Sequence, residues 1–176
     1  MLRRLSLALL ALALVTAEPT HAQTRQPVAV IANALDSDRV EIPLRALRQI
    51  YLGKLTRLDG VRLEPLHLQS GTPPRHAFSI AVLGKPEEAL QDYWIEQALT
   101  GGRVPPREVP SVEALVRAVA RRPGALGYAP LQALRSTPDN VRILRVVTEG
   151  RSLAPSDPGY PIRLPRGPNP GDDPRD

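Results

Sequence analysis

Short apolar runs of strand length alternate along this chain with stretches whose apolar residues recur at helical spacing. That alternation limits the fold more than any other feature. Val28-Ala29-Val30-Ile31-Ala32, Ala125 to Ala129 and Val141 to Val147 are the clearest runs, and such a run reads as a buried strand. Between the first two, Leu44, Leu47, Ile50 and Tyr51 fall on one helical face and Arg45 and Arg48 on the other. Pro43 opens that helix and Gly53 closes it. Val112, Leu115, Val116 and Val119 follow the i, i+3, i+4, i+7 rule behind a Ser111 cap, and Pro123-Gly124 ends the pattern. Strands separated by helices predict an α/β layer with a mainly parallel sheet flanked by helices.

The remaining stretches fit the same scheme. Asp59-Gly60 is a turn signal leading into a strand over Val61 to Leu68. In Ser70-Gly71-Thr72-Pro73-Pro74, Thr72 suits an N-cap and Pro73 the first helical position, with the helix ending near Gly84. Pro86 opens another helix through Leu99, on which Leu90, Trp94 and Ala98 share a stripe, and Gly101-Gly102 stops it. A proline-rich connection runs from Val104 to Pro110, and Pro130 to Leu134 makes a short helical turn.

The first residues read as a targeting signal. Arg3 and Arg4 precede an apolar run from Leu5 to Ala17 broken only by Ser6 and Thr16, and Thr20 and Ala22 suit a cut before Gln23. The run falls short of the roughly 20 apolar residues that span a bilayer. Residues 1–22 are therefore expected to be a cleavable signal peptide and residues 23–165 one α/β domain. Residues 166–176 are expected to be a disordered Pro/Gly-rich tail. The protein would be periplasmic or secreted, with no membrane span.

Composition excludes several chemistries. No cysteine occurs in 176 residues, which removes disulfides, thiolate zinc sites, iron–sulfur ligation, a cysteine nucleophile and a lipid-modified N-terminal cysteine. His67 and His76 lie nine apart without carboxylate support, so no metal site is expected; a surface or half-buried place suits each. Ser70, His76 and Asp92 make a triad only on paper, because no nucleophile elbow surrounds the serine. Glu87-Glu88 reads as a solvated helix start. No cofactor motif and no enzyme follow. The formal charge of +5 favours anionic partners in general. Arg117, Arg121 and Arg122 cluster on one helix, but aromatics are 3% of the chain and nucleic-acid binders pair such charge with stacking groups. A solvated helix face is the plainer reading, and no nucleic acid partner is expected.

The loop Ser70-Gly71-Thr72 before a helix is the candidate site. Unpaired N–H groups at a helix start favour an anion; the two hydroxyls add bonds, and Arg75 adds a fork of donors. Pro73 and Pro74 carry no N–H and remove two donors from such a cradle. A plain capping loop is the alternative.

Four stretches in order resemble a known family. They are Ile50-Tyr51-Leu52-Gly53-Lys54 with the turn to Asp59-Gly60; Ser70-Gly71-Thr72 with Arg75 and Phe78; Tyr93-Trp94 with Gly101-Gly102; and Pro123-Gly124-Ala125-Leu126-Gly127-Tyr128. Pro158-Gly159-Tyr160-Pro161-Ile162 resembles the closing segment. From Val28 to Leu164 the chain is similar to the phosphate-binding protein of ABC phosphate transporters, within the type 2 periplasmic binding protein fold. It is closer still to the short single-lobe relatives of that protein. The resemblance implies one such lobe, non-enzymatic, with inorganic phosphate or a similar oxyanion as ligand and an envelope or transporter protein as partner. It places Ser70, Gly71 and Thr72 on the anion. The family's arginine, four residues before the loop, falls on Leu66, and Arg75 would supply the charge from the other side. The family's remaining contacts come from a first lobe that a chain of this length is not expected to contain.

Two-lobed binding proteins close on a hinge and dehydrate the ligand. A single lobe offers an open shelf where water and salt screen each contact, so binding would be weak or partner-assisted. The alternative function is an envelope protein-interaction module that kept the fold and lost the ligand, which Leu66, Pro73 and Pro74 would suit.

Overall fold

Residues 25–34 and 40–165 are described by the structure, a computed structural model of the chain. The expected signal (1–22) and tail (166–176) lie outside the described residues.

Apolar runs that admit no polar face become central strands. β1 (Val28–Asn33) and β7 (Ala125–Pro130) pair antiparallel, and Val28 to Ile31 and Tyr128 are fully buried. β8 (Val141–Thr148) lies on the other side of β1, also antiparallel. The edges are β2 (Glu41–Pro43), parallel to β8, and β6 (Arg107–Val109), parallel to β5 (Glu64–Leu68), which in turn runs parallel to β7. The order is β2-β8-β1-β7-β5-β6. Five of these strands point one way; β1 alone runs against them, and β9 (Arg151–Leu153) folds back on β8. The chain is thus α/β with a mostly parallel sheet. Within it, β3 (Arg57–Leu58) and β4 (Val61–Arg62) form a separate hairpin around Asp59 and Gly60, both at positive φ, as a two-residue turn requires.

Helices cover both faces. α4 (Val112–Arg121) begins at Ser111, whose hydroxyl accepts from the Ala114 N–H at 3.1 Å. Its Leu115 and Val119 press so closely on Gly127 that any side chain there would collide with Leu115. Side chains alternate along a strand, so Tyr128 points to the opposite face. There it stacks on Phe78 of α2 (Pro73–Phe78), centroids 4.0 Å apart, and tilts against Tyr51 of α1 (Leu44–Tyr51). α2 continues into a π-turn over Ser79–Leu83 that stops at left-handed Gly84. α3 (Glu87–Gly101) buries Leu90 and rests Tyr93 and Trp94 against the core, so the expected stripe packs through Leu90 and Trp94 and ends before exposed Ala98. A single 3-10 turn, Leu131–Leu134, follows β7.

Among the described residues no helix is long and apolar enough to cross a membrane.

Candidate functional site

β5 ends at Leu68, and its continuation is held by Gln69, whose N–H donates to the Val109 carbonyl at 3.0 Å. The next three residues turn the chain from the carboxyl end of a strand into α2, the edge of an α/β sheet where ligands bind. Gly71 sits at φ +80° with open space around it, so backbone conformation alone demands glycine there. Thr72 occupies the N-cap position and Pro73 the first helical position, as its sequence context predicts. The Thr72 hydroxyl, however, donates backwards to the Gln69 carbonyl at 2.9 Å rather than into the helix.

Three donors from this segment converge on one carboxylate oxygen. The Ser70 hydroxyl and the Gly71 N–H, the latter at 3.0 Å, both donate to Glu87 Oε2. Arg75 Nε lies 3.8 Å from that same oxygen. The Arg75 side chain is only 8% exposed, and its Nη2 stands 3.9 Å from Glu108 Oε1 on β6. Nε and Nη1 are buried without a hydrogen-bond partner among the described residues. Helical spacing explains how a cation comes to be buried: Arg75 and Phe78 share the inward face of α2.

Arg75 also borders a buried polar pair. The Tyr128 hydroxyl accepts from the Leu68 N–H at 3.2 Å and lies 3.0 Å from His67 Nδ1. The hydroxyl and the ring nitrogen share one hydrogen bond, whose direction follows the imidazole tautomer. Burial, and then the Arg75 charge, hold the His67 imidazolium well below its ordinary pKa of 6.5. Burial pushes the Tyr128 phenol up to about 12, against the pull of Arg75. The expectation of a surface or half-buried His67 is corrected: it is 2% exposed, inside a cluster with Tyr51, Phe78 and Tyr128.

The four predicted residues thus meet in part. Ser70, Gly71 and Arg75 point at one spot; the Thr72 hydroxyl is turned away. Leu66 is fully buried among core residues. The residue that sequence reading misplaced is Glu87, assigned to a solvated helix start but only 11% exposed and seated in the cradle. None of three surface clefts, about 510, 430 and 270 Å³, is lined by the Ser70–Thr72 loop. The basic helix is also divided: Arg122 pairs with Glu64, while Arg117 and Arg121 remain exposed. His76 is exposed on α2, and Asp92 is exposed on α3. Among the described residues no group of three metal-ligating side chains occurs.

No family model matches the chain, and a search of curated proteins finds no match. Solved structures do match. PstS from Borrelia burgdorferi aligns over 80% of this chain and 55% of its own, at 14% identity and a TM-score of 0.60. A structure from Clostridium perfringens with bound phosphate, described as a phosphate ABC transporter substrate-binding protein, aligns over 72% and 46%, at 19% identity and 0.55. An ABC-type phosphate transport receptor from Vibrio cholerae aligns over 70% and 47%, at 14% and 0.52. The fold is that of a periplasmic-binding-protein-like lobe, and the chain spans about half the length of the structures it matches.

Proposed function

We propose that this protein is an exported, non-enzymatic oxyanion-binding protein built on one such lobe. Ser70, Gly71 and Arg75 hold inorganic phosphate or a similar oxyanion. Thr72 stabilises the loop through Gln69 and joins the ligand only by giving up that bond. The observation that carries this reading is the convergence of a hydroxyl, a backbone N–H and a buried guanidinium on one anionic oxygen. An oxyanion could take all three donors, and a hydrogen bond to a charged group contributes about 1.5–3 kcal/mol. The neighbours in fold include proteins described as binding or transporting phosphate, which supports the ligand class.

Affinity for the free lobe is weak. Pro73 and Pro74 supply no N–H, Leu66 supplies no charge, and Glu87 already engages the Ser70, Gly71 and Arg75 donors. An envelope or transporter protein that supplies a second wall would dehydrate the ligand and strengthen every contact. Calorimetric titration of the mature protein with phosphate and with sulfate at low salt tests the reading. Heat at millimolar ligand, lost in Arg75→Met, supports it; no heat and no thermal shift at those concentrations removes unaided binding.

A second reading is an envelope interaction module without a ligand. It is favoured by the exposed apolar residues Ile95, Leu99 and Val104 on and after α3, and by a cradle already filled. Co-purification of one specific envelope protein that survives Ser70→Ala and Thr72→Ala would select it.

A further inference from the structure

Glu87 stands where a bound anion would stand. It comes from a different element, 17 residues beyond Ser70, and takes two hydrogen bonds and one ion pair from the loop and α2. We infer that Glu87 is a tethered competitor that regulates the oxyanion site. The cradle has two states: one with Glu87 in place, as seen here, and one with Glu87 withdrawn, which an oxyanion occupies. The inference rests on the oxyanion reading given above and specifies how that site is controlled.

Charge supports it first. Arg75 lies between two carboxylates, Glu87 at 3.8 Å and Glu108 at 3.9 Å. The trio sums to one negative charge, so an incoming phosphate is repelled while Glu87 remains. With Glu87 gone, Arg75 and the half-exposed Glu108 cancel, and the Ser70 and Gly71 donors are released. Arg75 also has unused capacity, because Nε and Nη1 are buried without hydrogen bonds. A tetrahedral anion brings more acceptor oxygens to that spot than the single carboxylate oxygen there now.

The place of Glu87 on its element supports it second. Glu87 is the first residue of α3, ahead of the part of that helix held by buried Leu90, by the Tyr93 hydroxyl donating to the Leu52 carbonyl at 2.8 Å, and by Tyr93 and Trp94 against the core. The connection behind it passes through left-handed Gly84 and through Pro86. Withdrawal therefore moves only the Glu87 side chain and the first turn, ahead of those anchors, at modest cost. Glu87 does not lose all stabilisation by leaving, because a carboxylate in the first helical turn still faces the helix N–H groups.

A site open only part of the time binds with its intrinsic affinity reduced by the open fraction. Removing the competitor should therefore tighten phosphate binding. The experiment titrates inorganic phosphate into the wild type, Glu87→Gln, Glu87→Ala and Glu88→Gln by calorimetry at low salt. Glu88→Gln makes the same charge change next door, at an exposed residue outside the cradle. The expected result is affinity at least about tenfold higher in both Glu87 variants and little changed in Glu88→Gln. Equal binding by wild type and both Glu87 variants, or an equal gain in Glu88→Gln, overturns the regulatory role and leaves the oxyanion reading standing. Absence of binding in all four proteins overturns both.

Discussion

The Tyr128 hydroxyl and His67 Nδ1 lie 3.0 Å apart in the core, and the Arg75 charge reaches both. The aromatic cluster under the loop therefore contains a histidine that must stay neutral. Its folded pKa lies below the ordinary 6.5, so between those two values the unfolded chain binds the extra proton. Stability is complete above about pH 6.5 and falls as the medium becomes more acidic. One such group gives a slope of at most about 1.4 kcal/mol per pH unit. Urea unfolding at pH 7.5, 6.5 and 5.5 should show that decline, and His67→Gln, whose amide keeps a hydrogen-bonding group for Tyr128 without a titrating proton, should flatten it.

In the proposed site, Arg75 is the charge on which anion binding would depend. Arg75→Met keeps a long apolar stem against the core and removes every donor. Phosphate affinity should fall at least about tenfold, the equivalent of one charged hydrogen bond. Ser70→Ala removes one donor, with a loss of similar size. Calorimetry on both variants checks this.

Two glycines on β7 and its approach should resist substitution for different reasons. Gly124 sits at φ +72°, and a Cβ there would collide with the Arg62 carbonyl. Gly124→Ala should cost at least about 2 kcal/mol. Gly127 has no left-handed backbone, but α4 lies against it through Leu115 and Val119. Gly127→Ala should cost about 1–3 kcal/mol through overpacking. Denaturant midpoints measure both.

The proposed export predicts a specific new N-terminus. Protein recovered from outside the cytoplasm should begin at Gln23, after the Thr20–Ala22 cleavage context. N-terminal sequencing reads this directly; an intact Met1 on that material would contradict it.

How much of this was legible in the sequence depended on the length of each pattern. α1 and α4 repeat their apolar residues over two or more turns, and both form as expected, with Ser111 capping α4. β2, β6 and β9 have three residues each and bury one apiece. A period of two cannot declare itself over three residues, and all three carry charges that point to loops. Arg107-Glu108-Val109 becomes a strand only because Leu66 to Leu68 offer it a parallel partner. The turn at Asp59-Gly60 was readable from its residue types. The equivalent turn at Glu149-Gly150, also left-handed at both residues, lacks the usual Asn or Asp.

Within the candidate site, the loop was visible and its occupant was not. Ser70-Gly71-Thr72 announces itself through small residues before a helix. Glu87 has the look of any carboxylate at a helix start, and only the fold brings it back across the loop. His67 was misjudged for a related reason: an isolated histidine in a strand gives no local sign that a tyrosine 61 residues away supplies its hydrogen bond.

The most direct measurement is a phosphate titration of the mature protein followed by proton–nitrogen correlation spectra, read at the Gly71 amide and the Arg75 Nε–H. Both signals should move furthest and saturate together, with Arg107, Arg117 and Arg121 little affected. Shifts confined to those exposed arginines, with Gly71 and Arg75 unmoved, would contradict the assignment of the cradle.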